Sequence, residues 1–354
     1  MTQEPLSDRQ RRTQWLYEAR WGVMCHYLAA PPSSEGTGGY TEEQWQETVD
    51  GFNAQGLAAQ LAEAGAAYLL FTLGQNTGFY CSPNATYDAL VGRVPSRLSR
   101  RDLIADLSDA LAPYGIRLLA YLPSHAPAYD EVAVRALKCT PRWDPRRWSL
   151  RAETYGESDP DDRLTEFQRH WEAIIREWSV RWGKKVSGWW IDGCYHADLM
   201  YRFDDPPNFA SFAAALRAGN PDSIVAFNPG VKVPIVCHTQ EDDYTAGEIA
   251  NALPVNMDAQ WNRPDKEEVY WGMPARRYVD GAQLHVLTFM GLYWCGGTAP
   301  RFPDEMAVGY TQHVHDMGGV ITWDVPIERE GPRNGLIPEA FLKQMKAIGR
   351  AQRR

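Results

Sequence analysis

The chain has 354 residues, 44% of them apolar, and a formal net charge of −9. That balance argues against a nucleic-acid surface, which needs clustered Lys and Arg; basic doublets such as Arg11-Arg12, Arg100-Arg101 and Arg146-Arg147 are scattered and read as solvated faces. No stretch approaches the roughly 20 apolar residues of a membrane span. The polar segment Met1–Arg12 carries no apolar signal core, so a flexible tail and a cytoplasmic location are expected. The six cysteines are far apart and form no CxxC pair, which signals neither a zinc knuckle nor a disulfide framework.

In chain order, residues 15–20 predict a short helix leading into a strand, Trp21–Tyr27. A loop rich in Pro, Ser and Gly follows over Pro31–Gly39. Thr41 caps a helix, and Phe52, Leu57, Leu61 and Ala64 continue with helical spacing until Gly65 stops it. Ala66–Leu73 is a short apolar run, as expected of a strand buried on both faces. After a long loop, Gly74–Ser99, come a helix over Leu103–Tyr114 and a strand over Ile116–Leu122. The loop Ala126–Asp159 is long enough to suggest function. Asp161–Trp182 is amphipathic, with Leu164, Phe167, Trp171, Ile174, Ile175 and Trp178 recurring every three or four residues. Val186–Ile191 is the next strand, followed by a helix over Pro207–Arg217 and a strand over Ile224–Phe227 that ends at Asn228-Pro229-Gly230. Beyond this the pattern weakens. Ile235–His238 reads as a strand end, Met257–Trp261 as a strand, and Val279–Tyr293 as a helix feeding a strand near Trp294. Glu305–His315 is helical, Gly319–Asp324 a strand and Pro338–Arg350 a closing helix.

Strands alternating with helices throughout mean a parallel sheet. About eight strands with no phosphate-cradling glycine motif point to a single (β/α)8 TIM-type barrel spanning the chain. In such a barrel the strand ends on the C-terminal face carry the chemistry. The stretch Gly188-Trp189-Trp190-Ile191-Asp192-Gly193 therefore stands out: a buried strand stops at one carboxylate beside a turn-forming glycine. A carboxylate walled by indoles suits a sugar ring, and the 14 Trp and 17 Tyr lean the same way. The alternatives are that Asp192 caps the next segment and that the aromatics fill a large core.

These segments resemble glycoside hydrolase family 29, the α-L-fucosidases. The resemblance rests on Trp15 with Ala19-Arg20-Trp21-Gly22-Val23 and His26, and on Ala64-Gly65-Ala66-Ala67-Tyr68 with Thr72 and Gly78-Phe79. It continues through Asp102-Leu103, Gly115-Ile116-Arg117 and Tyr121, then Trp190-Ile191-Asp192-Gly193, and more weakly Asp243-Tyr244-Thr245-Ala246-Gly247-Glu248. It implies a retaining exo-glycosidase in which Asp192 is the nucleophile and Glu248 the acid/base, with no cofactor and no metal. Glu241, Asp242 and Asp243 remain alternatives for the acid. Two departures stand out. The family's His-His pair is replaced by Gln75-Asn76, whose amides hydrogen-bond but carry no charge. The family's C-terminal β-sandwich has no counterpart after the closing helix.

The expected substrate contacts are His26, Gln75, Asn76, His125, Trp189, Trp190, Tyr195, Trp294 and Trp323, with His196 beside Tyr195. The expected partner is a small carbohydrate, with no nucleic acid and no membrane; a homo-oligomer is left open. Two competing readings are a catalytically silent carbohydrate-binding barrel and a metal-dependent hydrolase. The latter would rest on His313, His315 and Asp316 or on His196 and Asp198, but histidines two apart on a helix point to different faces.

Overall fold

The computed structural model describes residues 6–29, 40–139, 163–257 and 272–353. Seven parallel strands form one sheet: β1 (Trp21–Cys25), β2 (Tyr68–Thr72), β3 (Arg117–Pro123), β4 (Gly188–Asp192), β5 (Ile224–Phe227), β6 (His285–Phe289) and β7 (Val320–Asp324), in the order β6-β7-β1-β2-β3-β4-β5. Register is continuous across it, for example Tyr121 opposite Trp190 and Met24 opposite Asp324.

The gap between β5 and β6 is spanned by residues 243–249. Towards β6 this segment pairs as a parallel strand does: Thr245 N–H donates to the Gln283 carbonyl (3.0 Å), Leu287 N–H to Gly247 (2.8 Å) and Ile249 N–H to Leu287 (3.0 Å). Towards β5 carboxylates stand in for backbone carbonyls. Asp243 N–H donates to the Val225 carbonyl (2.8 Å), but Val225 N–H donates to Asp243 Oδ2 (2.9 Å) and Phe227 N–H to Asp242 Oδ1 (2.8 Å). The segment is the missing eighth stave, so the fold is the expected (β/α)8 barrel. Gly247 makes the close approach to β6 possible: its φ is +67°, and a Cβ there would lie 1.9 Å from the His285 carbonyl oxygen.

Eleven helices are described: α1 (Asp8–Ala19), α2 (Glu42–Asp50), α3 (Ala54–Ala64), α4 (Ala85–Val91), α5 (Leu103–Leu111), α6 (Glu131–Ala136), α7 (Thr165–Trp182), α8 (Cys194–Tyr201), α9 (Phe209–Leu216), α10 (Asp304–Asp316) and α11 (Glu339–Gln352). Strand side chains alternate. In β4, Trp189 and Ile191 belong to the core between sheet and helices, while Trp190 belongs to the core inside the barrel with Met24, Tyr121 and Leu287. None of the described helices is long and apolar enough to cross a membrane.

Several expectations need correction. The N-terminal tail does not extend to Arg12, because Ser7 and Gln10 form a capping box that starts α1 at Asp8. Arg12 then reaches Asp243 Oδ1 at 2.7 Å, and Arg9 donates to the Asp242 carbonyl. The loops after β2 and β3 contain α4 and α6, each capped by a side chain, Asn84 and Asp130. Val279–Tyr293 is not helical. Asp280 and Gly281, both at positive φ (48° and 83°), turn a hairpin between Tyr278–Val279 and Ala282–Gln283, and β6 follows. Asp-Gly suits that turn, and β6 is a continuously buried strand whose run cannot be told from a helix by periodicity. Ile235–His238 is irregular, and Asn256–Met257 pairs with Gly272–Met273. The loop Pro31–Gly39, residues 140–159 of the long loop, the first residues of the helix expected from Asp161 and residues 258–261 lie outside the described residues.

Asp243 is fully buried and joins α1, β5 and the eighth stave through Arg12, Arg217 (2.7 Å) and Val225 N–H. Removing one member of a buried pair strands the charges left behind. Asp243→Ala is expected to lower unfolding stability by about 3 kcal/mol, read by denaturant titration. A change within experimental error would show that the carboxylate does not hold the stave.

Candidate functional site

The C-terminal ends of the strands converge on a cavity of about 180 Å³ lined by Met24, His26, Gln75, Tyr121, Trp190, Asp192, Tyr195, Glu248, Leu287, Tyr293 and Trp294. Its floor is Met24 and Leu287 from inside the barrel. Asp192 ends β4 facing inward, two residues beyond Trp190 on the same face. Gly193, at φ +84°, turns the chain into α8, and no side chain caps that helix. The reading of Asp192 as a cap is therefore not followed.

Both Asp192 oxygens are engaged from neighbouring strands. The Tyr121 hydroxyl donates to Oδ2 at 2.5 Å, and Asn228 Nδ2 donates to Oδ1 at 2.9 Å. Gln75 Nε2 donates to the Tyr121 oxygen at 2.6 Å, so the phenol proton is directed to Asp192. Asn228 Nδ2 also donates to Glu248 Oε2 at 2.6 Å. The two bond lengths to this one nitrogen cap the separation of the bonded Asp192 and Glu248 oxygens at their sum, 5.5 Å.

Burial, with the charge of Asp192 next to it, pushes Glu248 from the usual carboxylate range up to about 7; the Asn228 hydrogen bond and His26 pull weakly the other way. Asp192's charge and then burial push the Tyr195 phenol up, and burial followed by Asp192 does so for Tyr121, so both stay protonated donors. His26 Nδ1 meets Asp324 Oδ2 at 2.5 Å, and the other Asp324 oxygen accepts Cys295 N–H at 2.6 Å. A carboxylate on Nδ1 fixes the ring orientation and the tautomer. Tyr121 stacks on Trp190 (5.4 Å, 18°), and His26 sits 6.0 Å from Trp294, centroid to centroid. The walls are thus flat rings and the floor apolar, with two carboxylates converging between them.

Of the residues singled out in the sequence, the cavity brings together His26, Gln75, Trp190, Asp192, Tyr195, Glu248 and Trp294. It does not bring Trp189, Trp323, Asn76 or His125 to its lining. Trp189 is one residue out of phase with Trp190 and packs near Trp182 (5.9 Å) behind the sheet. Trp323 is likewise one residue before Asp324 and donates from Nε1 to Thr311 Oγ1 at 3.0 Å. Asn76 follows Gln75, and its carbonyl accepts Tyr129 N–H at 2.8 Å. His125 is buried, with Nδ1 donating to the Ala126 carbonyl (2.7 Å) and its ring against Gly193. The side chain of His196 lies outside what is described.

The alternative acids are committed elsewhere. Asp242 caps Phe227, His238 and Thr239 N–H groups, each at 2.8 Å, and burial raises it to about 6. Asp243 holds the two arginines, and Glu241 faces Arg217 at 3.8 Å. Asp198 pairs with His238 and Arg202, and His315 stacks on Tyr17. Among the described residues no group of three or more His, Cys, Asp or Glu is placed to hold a metal ion. Tyr121, Asn228, Tyr293 and Asp324 were not singled out as site residues. Asn228 and Asp324 lie at or just past strand ends and Tyr121 two residues before the end of β3; strand alternation is the signal that could have found them, and Tyr121 also belongs to the segments that carry the family resemblance.

No family model matches the sequence, and no curated protein matches it. Solved structures do. Endo-fucoidan hydrolases MfFcnA9 and MfFcnA4, both from glycoside hydrolase family 107, align over 98% and 96% of this chain with TM-scores of 0.67 and 0.65 at 19% and 18% identity. Alpha-L-fucosidase isoenzyme 1 from Paenibacillus thiaminolyticus aligns over 98% of this chain and 76% of its own, with a TM-score of 0.58 at 16% identity. The chain spans 64% and 53% of the two fucoidan hydrolases. At these identities the likeness shows the barrel fold.

A carboxyl group raised in the folded state favours folding below its unfolded pKa, and that contribution is lost as pH climbs through the folded value. For Glu248 the window runs from about 4.5 to about 7. The stability of the wild-type chain relative to Glu248→Gln is therefore expected to fall by about 3 kcal/mol across this window and to stay level above it. Parallel stability curves for the two proteins would contradict the assignment.

Proposed function

We propose that the chain is a retaining exo-glycosidase, similar to α-L-fucosidases, that hydrolyses a terminal fucose or a related sugar. Asp192 is the nucleophile and Glu248 the acid/base. The observation that carries this reading is the pair of carboxylates sharing one amide donor at most 5.5 Å apart. That upper bound lies below the roughly 6.5–9.5 Å of inverting enzymes and accords with the shorter spacing, roughly 5–5.5 Å, of retaining ones. The apolar floor supports end-on entry of a terminal ring. The names of the structural neighbours, fucoidan hydrolases and an α-L-fucosidase, support fucose as the first sugar to test.

In this mechanism an Asp192 oxygen bonds to the anomeric carbon as the glycosidic C–O bond breaks, and Glu248 gives its proton to the departing oxygen. Glu248 is protonated for this step because Asp192 is charged beside it. Once Asp192 is esterified its charge is gone, the repulsion on Glu248 falls, and the Glu248 carboxylate takes a proton from the water that cleaves the ester. His26, held by Asp324, and Gln75 are placed to bind ring hydroxyls. Trp190 and Trp294 supply flat faces for the sugar's C–H side. Only the Gln of the Gln75-Asn76 pair lines the cavity, so a sugar differing from fucose where the family's histidines bind it belongs in the same test. A cytoplasmic site of action is part of the proposal.

An aryl α-L-fucoside and a panel of related aryl glycosides provide the test. Asp192→Gly is expected to lower kcat by on the order of 10⁴-fold, with azide restoring turnover as a glycosyl azide of inverted configuration. Binding without turnover of any glycoside would favour the silent barrel, and loss of activity on chelation the metal-dependent hydrolase.

The pH profile gives a separate check. kcat/KM is expected to fall with an alkaline limb near pH 7, where free Glu248 loses its proton. That limb should vanish in Glu248→Ala when the leaving group needs no proton. An alkaline limb that survives there belongs to another group and removes Glu248 from the acid role.

A further inference from the structure

We propose that Asn228 is a positioning residue for this chemistry: its single amide nitrogen fixes the spacing of Asp192 and Glu248 and selects Oε1 of Glu248 as the oxygen that carries the transferable proton. The inference rests on the glycosidase reading above.

The geometry runs as follows from β5. The strand ends at Phe227, and Asn228 N–H donates to the Ile191 carbonyl at 2.8 Å, tying the residue to β4 at its last turn before Asp192. The Asn228 side chain accepts Gly230 N–H on Oδ1 at 3.0 Å. That bond settles which end of the amide faces the cavity: the oxygen is used by the turn, and the NH₂ points at the carboxylates. A flipped amide would set a carbonyl oxygen against two carboxylates and lose the Gly230 bond. Gly230 itself is at φ +81°, and a Cβ there would lie 3.1 Å from the Tyr195 ring, so the turn runs close beside α8.

The NH₂ has two hydrogens and two acceptors, Asp192 Oδ1 and Glu248 Oε2. Each hydrogen is spent on one carboxyl group. An oxygen that accepts at 2.6 Å is not also the O–H of that carboxyl facing the same donor, so the proton of neutral Glu248 resides on Oε1. In the proposed reaction the oxygen not bonded to the amide is the one that delivers the proton to the leaving group. β4 also meets the eighth stave directly, through Trp190 Nε1 on the Ala246 carbonyl (3.1 Å) and the Tyr244 hydroxyl on the Trp189 carbonyl (2.9 Å); the Asn228 amide adds the link between the two carboxyl groups themselves.

The groups that face Glu248 are Asp192 from β4, His26 from the end of β1, Tyr195 from α8 and Tyr293 from the segment after β6. Asn228 adds a neutral donor hydrogen-bonded to Glu248 Oε2. It opposes the repulsion that Asp192 exerts, so its removal should leave Glu248 holding its proton to higher pH.

The test compares Asn228→Ala, Asn228→Ser and Asn228→Asp with wild type on an aryl glycoside whose leaving group needs a proton. Asn228→Ala is expected to lower kcat about 100-fold, the usual cost of one preorganised donor, with KM changed far less. Its alkaline limb should move to higher pH. Asn228→Asp, which replaces the donor by a third carboxylate, should move the limb further, and Asn228→Ser, which keeps a donor, should fall between wild type and Asn228→Ala. An alkaline limb that stays in place in all three variants overturns the inference even if kcat drops. If Asn228→Ala fails to fold, the order of the Ser and Asp variants decides the question. Wild-type turnover that depends on Asp192 and Glu248, combined with an unmoved limb, fails only this inference. Absence of wild-type turnover on the whole glycoside panel fails the reading beneath it.

Discussion

Two carboxylates within reach of one hydrogen-bond donor, in a cavity walled by rings, cannot both be charged at neutral pH without a large cost. The barrel resolves this by unequal treatment. Asp192 receives a phenol proton and an amide proton, one on each oxygen, which suits an acceptor-only carboxylate. Among the described residues the Glu248 side chain receives the shared amide alone and is buried beside a charge, so it is pushed up to about 7. Two acids differing mainly in their hydrogen-bond partners thereby take opposite roles.

That arrangement depends on parts far from the cavity. Glu248 sits on a stave that is not a regular strand on its β5 side. It is anchored by Asp242 and Asp243, whose carboxylates take β5 N–H groups, and by Arg12 and Arg217. In the sequence the run Glu241-Asp242-Asp243 offers alternatives to Glu248 for the acid, each of which taken alone reads as a solvated loop charge. In the fold two of those acids are buried struts that bring a different one, Glu248, to the mouth. Gly247 permits it, since any side chain there would strike the β6 backbone.

The (β/α)8 order was legible because apolar runs and helical periodicity alternate over most of the chain. It failed where two signals coincided. The residues from Val279 onward pair a tight Asp-Gly turn with a continuously buried strand, and a run of that kind carries no period by which to tell it from a helix. The start of α1 was misplaced because a polar first turn looks like a tail until Ser7 and Gln10 are seen to cap each other.

By itself the sequence determined the strand that ends at Asp192, its indole company and the line of motifs around it, since these are local and linear. It also held the alternation that separates Trp190 from Trp189 and Asp324 from Trp323, because side chains on a strand must switch faces at each residue. Which acid meets Asp192, and the presence of Asn228 and Tyr121 between strands, were decided only in three dimensions. Those contacts join β3, β4, β5 and the eighth stave at separations of 20 to 71 residues, and register between strands that far apart is fixed by closing the barrel, not by any spacing along the chain.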